Sequence, residues 1–216
     1  MKKLTTIAVL CVGLAAPMSL ANYVTNGDFE AGTLEGWTQW GPIGWGSGEV
    51  RVEDTAASVH SGSYGLRIRT TPNGSLGVKQ VVAVPANTPL TLSAWVKAPG
   101  ASYPVNWAEV LLYPFAVTDD ATQIDNNSDP YLVWKRDSWG GKDGVPGGFL
   151  PTPNQDWELV TGTITSPTGF VTIAFKFGQN DQLNAGNIRV DDVVLVPEPA
   201  AALLLVAGLP LLRRRR

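Results

Sequence analysis

Cysteine and histidine are almost missing from this 216-residue chain. The single cysteine, Cys11, lies in an apolar leader, and the single histidine is His60. The body of the chain therefore forms no disulfide. A histidine-cluster zinc site is poorly supported, and so is a Ser-His-Asp triad drawing on several histidines. Helical patterning is also lacking. No stretch of a dozen residues repeats its apolar positions at 3.6, and the 23 glycines and 16 prolines are spread throughout. Basic charge is scarce once the ends are set aside, with ten basic against eighteen acidic residues between Asn22 and Val196. Such an acidic domain repels phosphate backbones, so nucleic acid is not an expected partner. It suits solubility outside a cell and affinity for cations. There is no Gly-x-Ser-x-Gly elbow, P-loop, dinucleotide fingerprint or tandem repeat.

Both ends read as addresses. Residues 1–21 have the order of a secretory signal peptide: Lys2 and Lys3, an apolar run from Leu4 to Ala16, and small residues at Ser19-Leu20-Ala21. The run is too short for a membrane-spanning helix. Residues 197–216 hold Pro197-Glu198-Pro199, an uncharged stretch from Ala200 to Leu212, and Arg213 to Arg216. Thirteen residues of helix reach only about 20 Å against a hydrocarbon core about 30 Å thick. The expectation is a temporary tether with its basic end on the cytoplasmic side. This stretch resembles the PEP-CTERM sorting signal of Gram-negative bacteria. The resemblance implies an exosortase-type membrane protease as partner, recognising Pro197, Glu198, Pro199 and the cluster from Arg213. It also implies transient anchoring to the inner membrane, then a place on the cell surface or in the extracellular matrix.

Between the ends, residues 22–196 alternate at period two. Val50 and Val52 share a face, as do Tyr64, Leu66 and Ile68. Leu90, Leu92, Ala94 and Val96 alternate with Thr91, Ser93, Trp95 and Lys97, and Val171, Ile173, Phe175 and Phe177 alternate with smaller or polar residues. Further strands are expected over Val78–Val84, Ala108–Val117, Trp157–Ile164 and Ile188–Val196. Many short strands without intervening helices predict an all-β, antiparallel sandwich. Gly36–Gly48 and Asp119–Asp156 read as irregular, and a polar stretch as long as the second is usually functional or disordered. Its tryptophans argue against full disorder.

The opening Asn26-Gly27-Asp28-Phe29-Glu30 with Gly36-Trp37, then His60-Ser61-Gly62-Ser63-Tyr64, Leu90-Thr91-Leu92-Ser93-Ala94-Trp95 and Val190-Asp191-Asp192-Val193, resembles CenC-like carbohydrate-binding modules. These are jelly rolls of the galactose-binding-like architecture. The resemblance implies a structural calcium tying the opening segment to the last strand. Its ligands would be Glu30, the main chain of Asp28, carbonyls near Ser61, and Asp191 or Asp192. One register of the last strand points Asp191 inward with Val193 and Leu195; the opposite register turns Asp192 inward. Calcium takes carboxylate and carbonyl oxygens, which this set supplies. The competing reading is that Glu30 bonds backbone amides or an arginine such as Arg189.

All eight tryptophans lie in the body of the chain. Flat aromatic faces meet the C–H faces of sugars, with polar side chains pairing the hydroxyls. Trp95 is expected on the outer face of its strand, either in ligand contact or packed under the Asp119–Asp156 stretch. Trp107 and Trp134 offer a second platform, with Gln123 and Asn126 available for hydroxyls, but packing within the fold is the preferred reading of both tryptophans. Trp37 and Trp157 are expected in the core or at corners, and His60 in a turn. Glu109, Asp119, Asp120 and Asp125 read as a solvated acidic loop rather than a glycosidase pair. The expected function is therefore non-catalytic binding of extracellular polysaccharide. The alternative is a structural, matrix or adhesion protein with no defined sugar site.

Overall fold

The computed structural model describes residues 21–44, 47–71, 73–97, 106–125, 134–137, 156–179 and 186–198. Ten strands run in chain order: β1 Thr38–Gly44, β2 Gly48–Glu53, β3 Gly65–Thr70, β4 Gly74–Ala83, β5 Pro89–Lys97, β6 Asn106–Tyr113, β7 Trp134–Asp137, β8 Glu158–Thr165, β9 Phe170–Gln179 and β10 Gly186–Pro197. They form two five-stranded sheets. The first has the order β1-β4-β9-β6-β7 and the second β2-β3-β10-β5-β8. Every described pairing is antiparallel. The fold is the expected antiparallel β-sandwich.

The period-two pattern explains the layering. Leu90, Leu92, Ala94 and Val96 of β5 face Val171, Ile173, Phe175 and Phe177 of β9 across a core that also holds Leu66, Ile68, Leu76, Val78, Ile188 and Val190. Phe29 and Trp37, from the opening segment, close one end of that core. Their rings lie 5.7 Å apart, and Trp37 lies 5.8 Å from Phe175. The opening segment runs along β10, with Tyr23 N–H donating to Leu195 O and Val193 N–H to Gly27 O.

Two expectations about regular structure change. The stretch Gly36–Gly48 contains β1, whose pairing with β4 shifts register between Trp40 and Ile43. The shift interrupts the alternation that period-two reading depends on. The Asp119–Asp156 stretch contains a helical turn, Asp120–Asp125, and the short strand β7. At the other end, β10 continues to Pro197, and Glu198 N–H donates to Pro89 O at 3.0 Å. The first two residues of the Pro-Glu-Pro tripeptide are thus stitched to β5.

Candidate functional site

β10 carries the feature that shapes the site. Ile188 and Val190 point into the core, and so do Val193 and Leu195. An even-to-odd switch of that kind needs a bulge, and it falls between Asp191 and Val194, with Asp192 at φ 50°. Neither single register expected from the sequence holds over the whole strand. Asp191 pairs with Trp95 and so takes the outer face, not the inner one, yet it is fully buried. The loop at residues 58–64 covers it. Asp191 Oδ2 accepts the N–H groups of His60 and Ser61 at 2.8 and 3.2 Å, and Oδ1 accepts Asp192 N–H at 2.8 Å. Burial pushes the Asp191 carboxyl up to about 6, against the pull of those three amides.

Glu30 ties the same loop from the other side. Its Oε1 accepts Ser63 N–H at 2.8 Å and Tyr64 N–H at 2.9 Å. Asp28 Oδ1 accepts Glu30 N–H at 3.3 Å. In this arrangement the Glu30 and Asp191 carboxylates are held by backbone amides, while the calcium ligands implied at Asp28 and Ser61 are main-chain oxygens. The carboxylate oxygens named here face the positive ends of N–H dipoles, and Ser61 contributes a donor. Among the described residues, no three carboxylate, imidazole or thiol groups converge. The two backbone bonds of Glu30 are those of its competing reading.

On the outer face of the second sheet, the same loop lays the His60 ring on Trp95, with centroids 4.0 Å apart and planes 17° apart. Trp157 meets His60 edge-on at 5.4 Å. His60 Nδ1 lies 2.7 Å from Asp192 Oδ2, and Ser61 Oγ donates to Asp192 Oδ1 at 2.8 Å. Trp157 is therefore a half-buried member of a surface cluster, not a core residue. Lys97 Nζ sits 6.0 Å from its ring centroid. Thr91, Ser93, Thr161 and Thr163 continue this face across β5 and β8.

The outer face of the first sheet is different. Trp40, Leu111, Tyr113, Val117, Ile124 and Ala174 form a second apolar cluster over it. Trp107 lies on this face against Gly178, where a β-carbon would stand 2.1 Å from the indole. Trp95 and Trp107 thus occupy opposite faces of the sandwich and do not share a groove. Gln123 is engaged within the fold through its Oε1 and its carbonyl. Its Oε1 accepts the N–H groups of Thr118 and Asp119, and its carbonyl accepts the Tyr113 hydroxyl at 2.9 Å. Burial, with Glu109 nearby, pushes that hydroxyl well above the usual tyrosine range. Glu109 is not a solvated loop residue; it is buried on β6, with Lys176 Nζ 3.8 Å from its carboxylate. Of Trp134 only the backbone place in β7 is described. Asn126, Pro199 and Arg213 lie outside the described residues, as does the leader.

Sequence reading misses His60 and Trp157 as ring partners of Trp95, and Arg189 as a surface group beside Lys97. Parity already puts Lys97 outward. What it does not encode is the order β3-β10-β5, which sets Arg67, Arg189 and Lys97 side by side.

Residues 21–126 match the family model described as a carbohydrate binding domain. No curated protein matches the chain. Among solved structures, the chain is similar to TmCBM61 in complex with β-1,4-galactotriose, at 17% identity and a TM-score of 0.50, covering 82% of this chain and 99% of that one. It is similar to a carbohydrate-binding module of the β-sandwich superfamily studied for promiscuous specificity, at 19% identity and a TM-score of 0.51, covering 78% and 60%. The tailspike protein 4 enzymatically active domain of bacteriophage CBA120 matches at 15% identity and a TM-score of 0.52, covering 82% of this chain and 21% of its own. At these identities the structural likenesses establish the sandwich fold.

Proposed function

We propose that this protein is a non-catalytic carbohydrate-binding protein whose sugar site lies on the outer face of the second sheet, around Trp95, His60 and Trp157. The match of residues 21–126 to a carbohydrate binding domain carries the reading. The location is supported by contrast: the first sheet's outer face holds an apolar cluster, while the second presents three adjoining rings among threonines, serine and cations. Aromatic faces with convergent polar groups suit a sugar. The solved structure named for β-1,4-galactotriose raises galactans as the first ligands to test. Affinity electrophoresis of the purified protein through galactan, xylan and mixed-linkage glucan tests the reading. Retardation by at least one polysaccharide, abolished by Trp95→Ala, is expected. Free migration in all of them contradicts it and favours the structural or adhesion alternative.

We further propose export by residues 1–21 and sorting through Pro197-Glu198-Pro199 and the terminal arginines, with an exosortase-type protease as partner. The order of those parts in the sequence supports this. Mass spectrometry of protein recovered from the cell surface checks it. Termini near Asn22 and near Pro197 are expected, and an intact tail contradicts processing.

A further inference from the structure

The basic residues of this acidic domain are not scattered. On the outer face of the second sheet, Arg51 pairs with Arg67, Arg67 with Arg189, and Arg189 with Lys97, so four cations form one row across β2, β3, β10 and β5. Neighbouring strands lie about 4.8 Å apart, so the row spans roughly 15 Å. It ends on an aromatic surface, since Lys97 adjoins Trp157, which adjoins His60 and Trp95.

Carboxylates neutralise only the first half of the row. Arg67 pairs with Glu49 and Glu53, at 3.0 and 2.7 Å, and Arg51 pairs with Glu49. Among the described residues neither Arg189 nor Lys97 has an ion pair. Arg189 is nevertheless held in place. Ser58 Oγ donates to Glu53 Oε2 at 2.9 Å and accepts Arg189 Nε–H at 3.1 Å. That fixes the guanidinium plane and leaves both terminal nitrogens without an acceptor among the described residues. Partial burial lowers the Arg189 pKa, Glu53 opposes this, and Arg67 adds to it. An arriving anion would offset the repulsion from Arg67. Arg69, on the same face, opens onto a cavity of about 260 Å³ lined also by Ser47, Glu49 and Thr71, so the surface beside the row is concave.

We propose that this face binds an acidic glycan, with a uronate carboxylate held by Arg189 and Lys97 and a neighbouring sugar ring against the Trp157–His60–Trp95 surface. The inference rests on the carbohydrate-binding reading and names its ligand class. A guanidinium fork fixed at Nε matches a planar carboxylate through two parallel hydrogen bonds. Adjacent aromatic rings select a sugar over a bare anion.

Isothermal titration of the full chain with oligogalacturonate, with its neutral methyl ester, and with duplex DNA tests this. Oligogalacturonate is expected to bind, to weaken as salt rises, and to lose about tenfold or more in affinity with Arg189→Gln and with Lys97→Met. Arg189→Lys should recover part of the loss, and melting temperatures should show that each variant is folded. Equal affinity for the acid and its methyl ester overturns the inference while sustaining carbohydrate binding. No binding to either sugar or to any neutral polysaccharide overturns both. Binding of DNA as tight as that of the acid overturns the selection for sugar.

Discussion

The two outer faces of the sandwich are built from the same kind of alternating strand and end in opposite states. On the first sheet the outward positions include Leu111, Tyr113, Ala174 and Trp40, and Val117 and Ile124 from the segment after β6 pack on them. On the second sheet the outward positions include Arg67, Arg189, Lys97, Trp95 and Ser93, and the loop at residues 58–64 buries Asp191 and lays the His60 ring on one side of a half-buried Trp95. Part of one face has become a second core, with Glu109, Lys176 and Trp107 further along the same strands, while the other presents a row of cations beside an aromatic cluster. In a sandwich, strand alternation decides which side chains are inside. The segments that connect the strands decide whether an outer face stays available.

Deleting the buried contacts of the first face should have the largest effect. Leu111→Ala should cost about 2–5 kcal/mol in urea unfolding, with galactan or oligogalacturonate affinity unchanged once the protein is folded. A variant that keeps stability but loses sugar would place the site on the wrong face. Gly178→Ala should come next, destabilising by about 1–3 kcal/mol, because a β-carbon there would collide with the Trp107 ring. Thermal unfolding measures this, and an unchanged melt would mean that Trp107 does not pack there.

On the second face the expected stability effect is smaller and depends on pH. The folded-state pKa of Asp191, about 6, lies above its ordinary value of 3.8. Its contribution to stability is therefore fully present below about pH 4, falls as pH rises toward 6, and is absent above that. Stability of the wild type relative to Asp191→Asn should be greater at pH 4 than at pH 7, read by urea midpoints. A difference that grows with pH would reverse the sign and mean that a cation or donor stabilises the ionised form. The smallest effect expected is none at all. Chelator should leave the melting temperature in place, because amides already hold Asp191 and Glu30. A fall on chelation, restored by calcium, would contradict that arrangement.

Much of the fold is legible from alternation alone. The faces of β3, β5 and β9 come directly from Leu66, Leu92 and Phe175 with their neighbours. β1 is hidden because its register shift and glycines break the period, and β7 because it is only four residues long. Parity places Trp95 on the outer face but not its partners, since His60 arrives from a loop and Trp157 precedes its strand. Asp191 stands out in the sequence for the right physical reason, a carboxylate needing compensation. The bulge at Asp192 turns it to the outer face, where three backbone amides meet it. Gln123 has polar chemistry that suits a sugar hydroxyl, and its Oε1 accepts the backbone N–H groups of Thr118 and Asp119.

The most direct test pits one tryptophan from each face against the other. Titration of the folded protein with its best-binding glycan should show Trp95→Ala weakening affinity by about thirtyfold or more, a loss of about 2 kcal/mol. Trp107→Ala should leave affinity within about twofold and lower only the melting temperature. The opposite outcome, with affinity lost at Trp107 and kept at Trp95, would contradict the assignment of sugar binding to the second sheet.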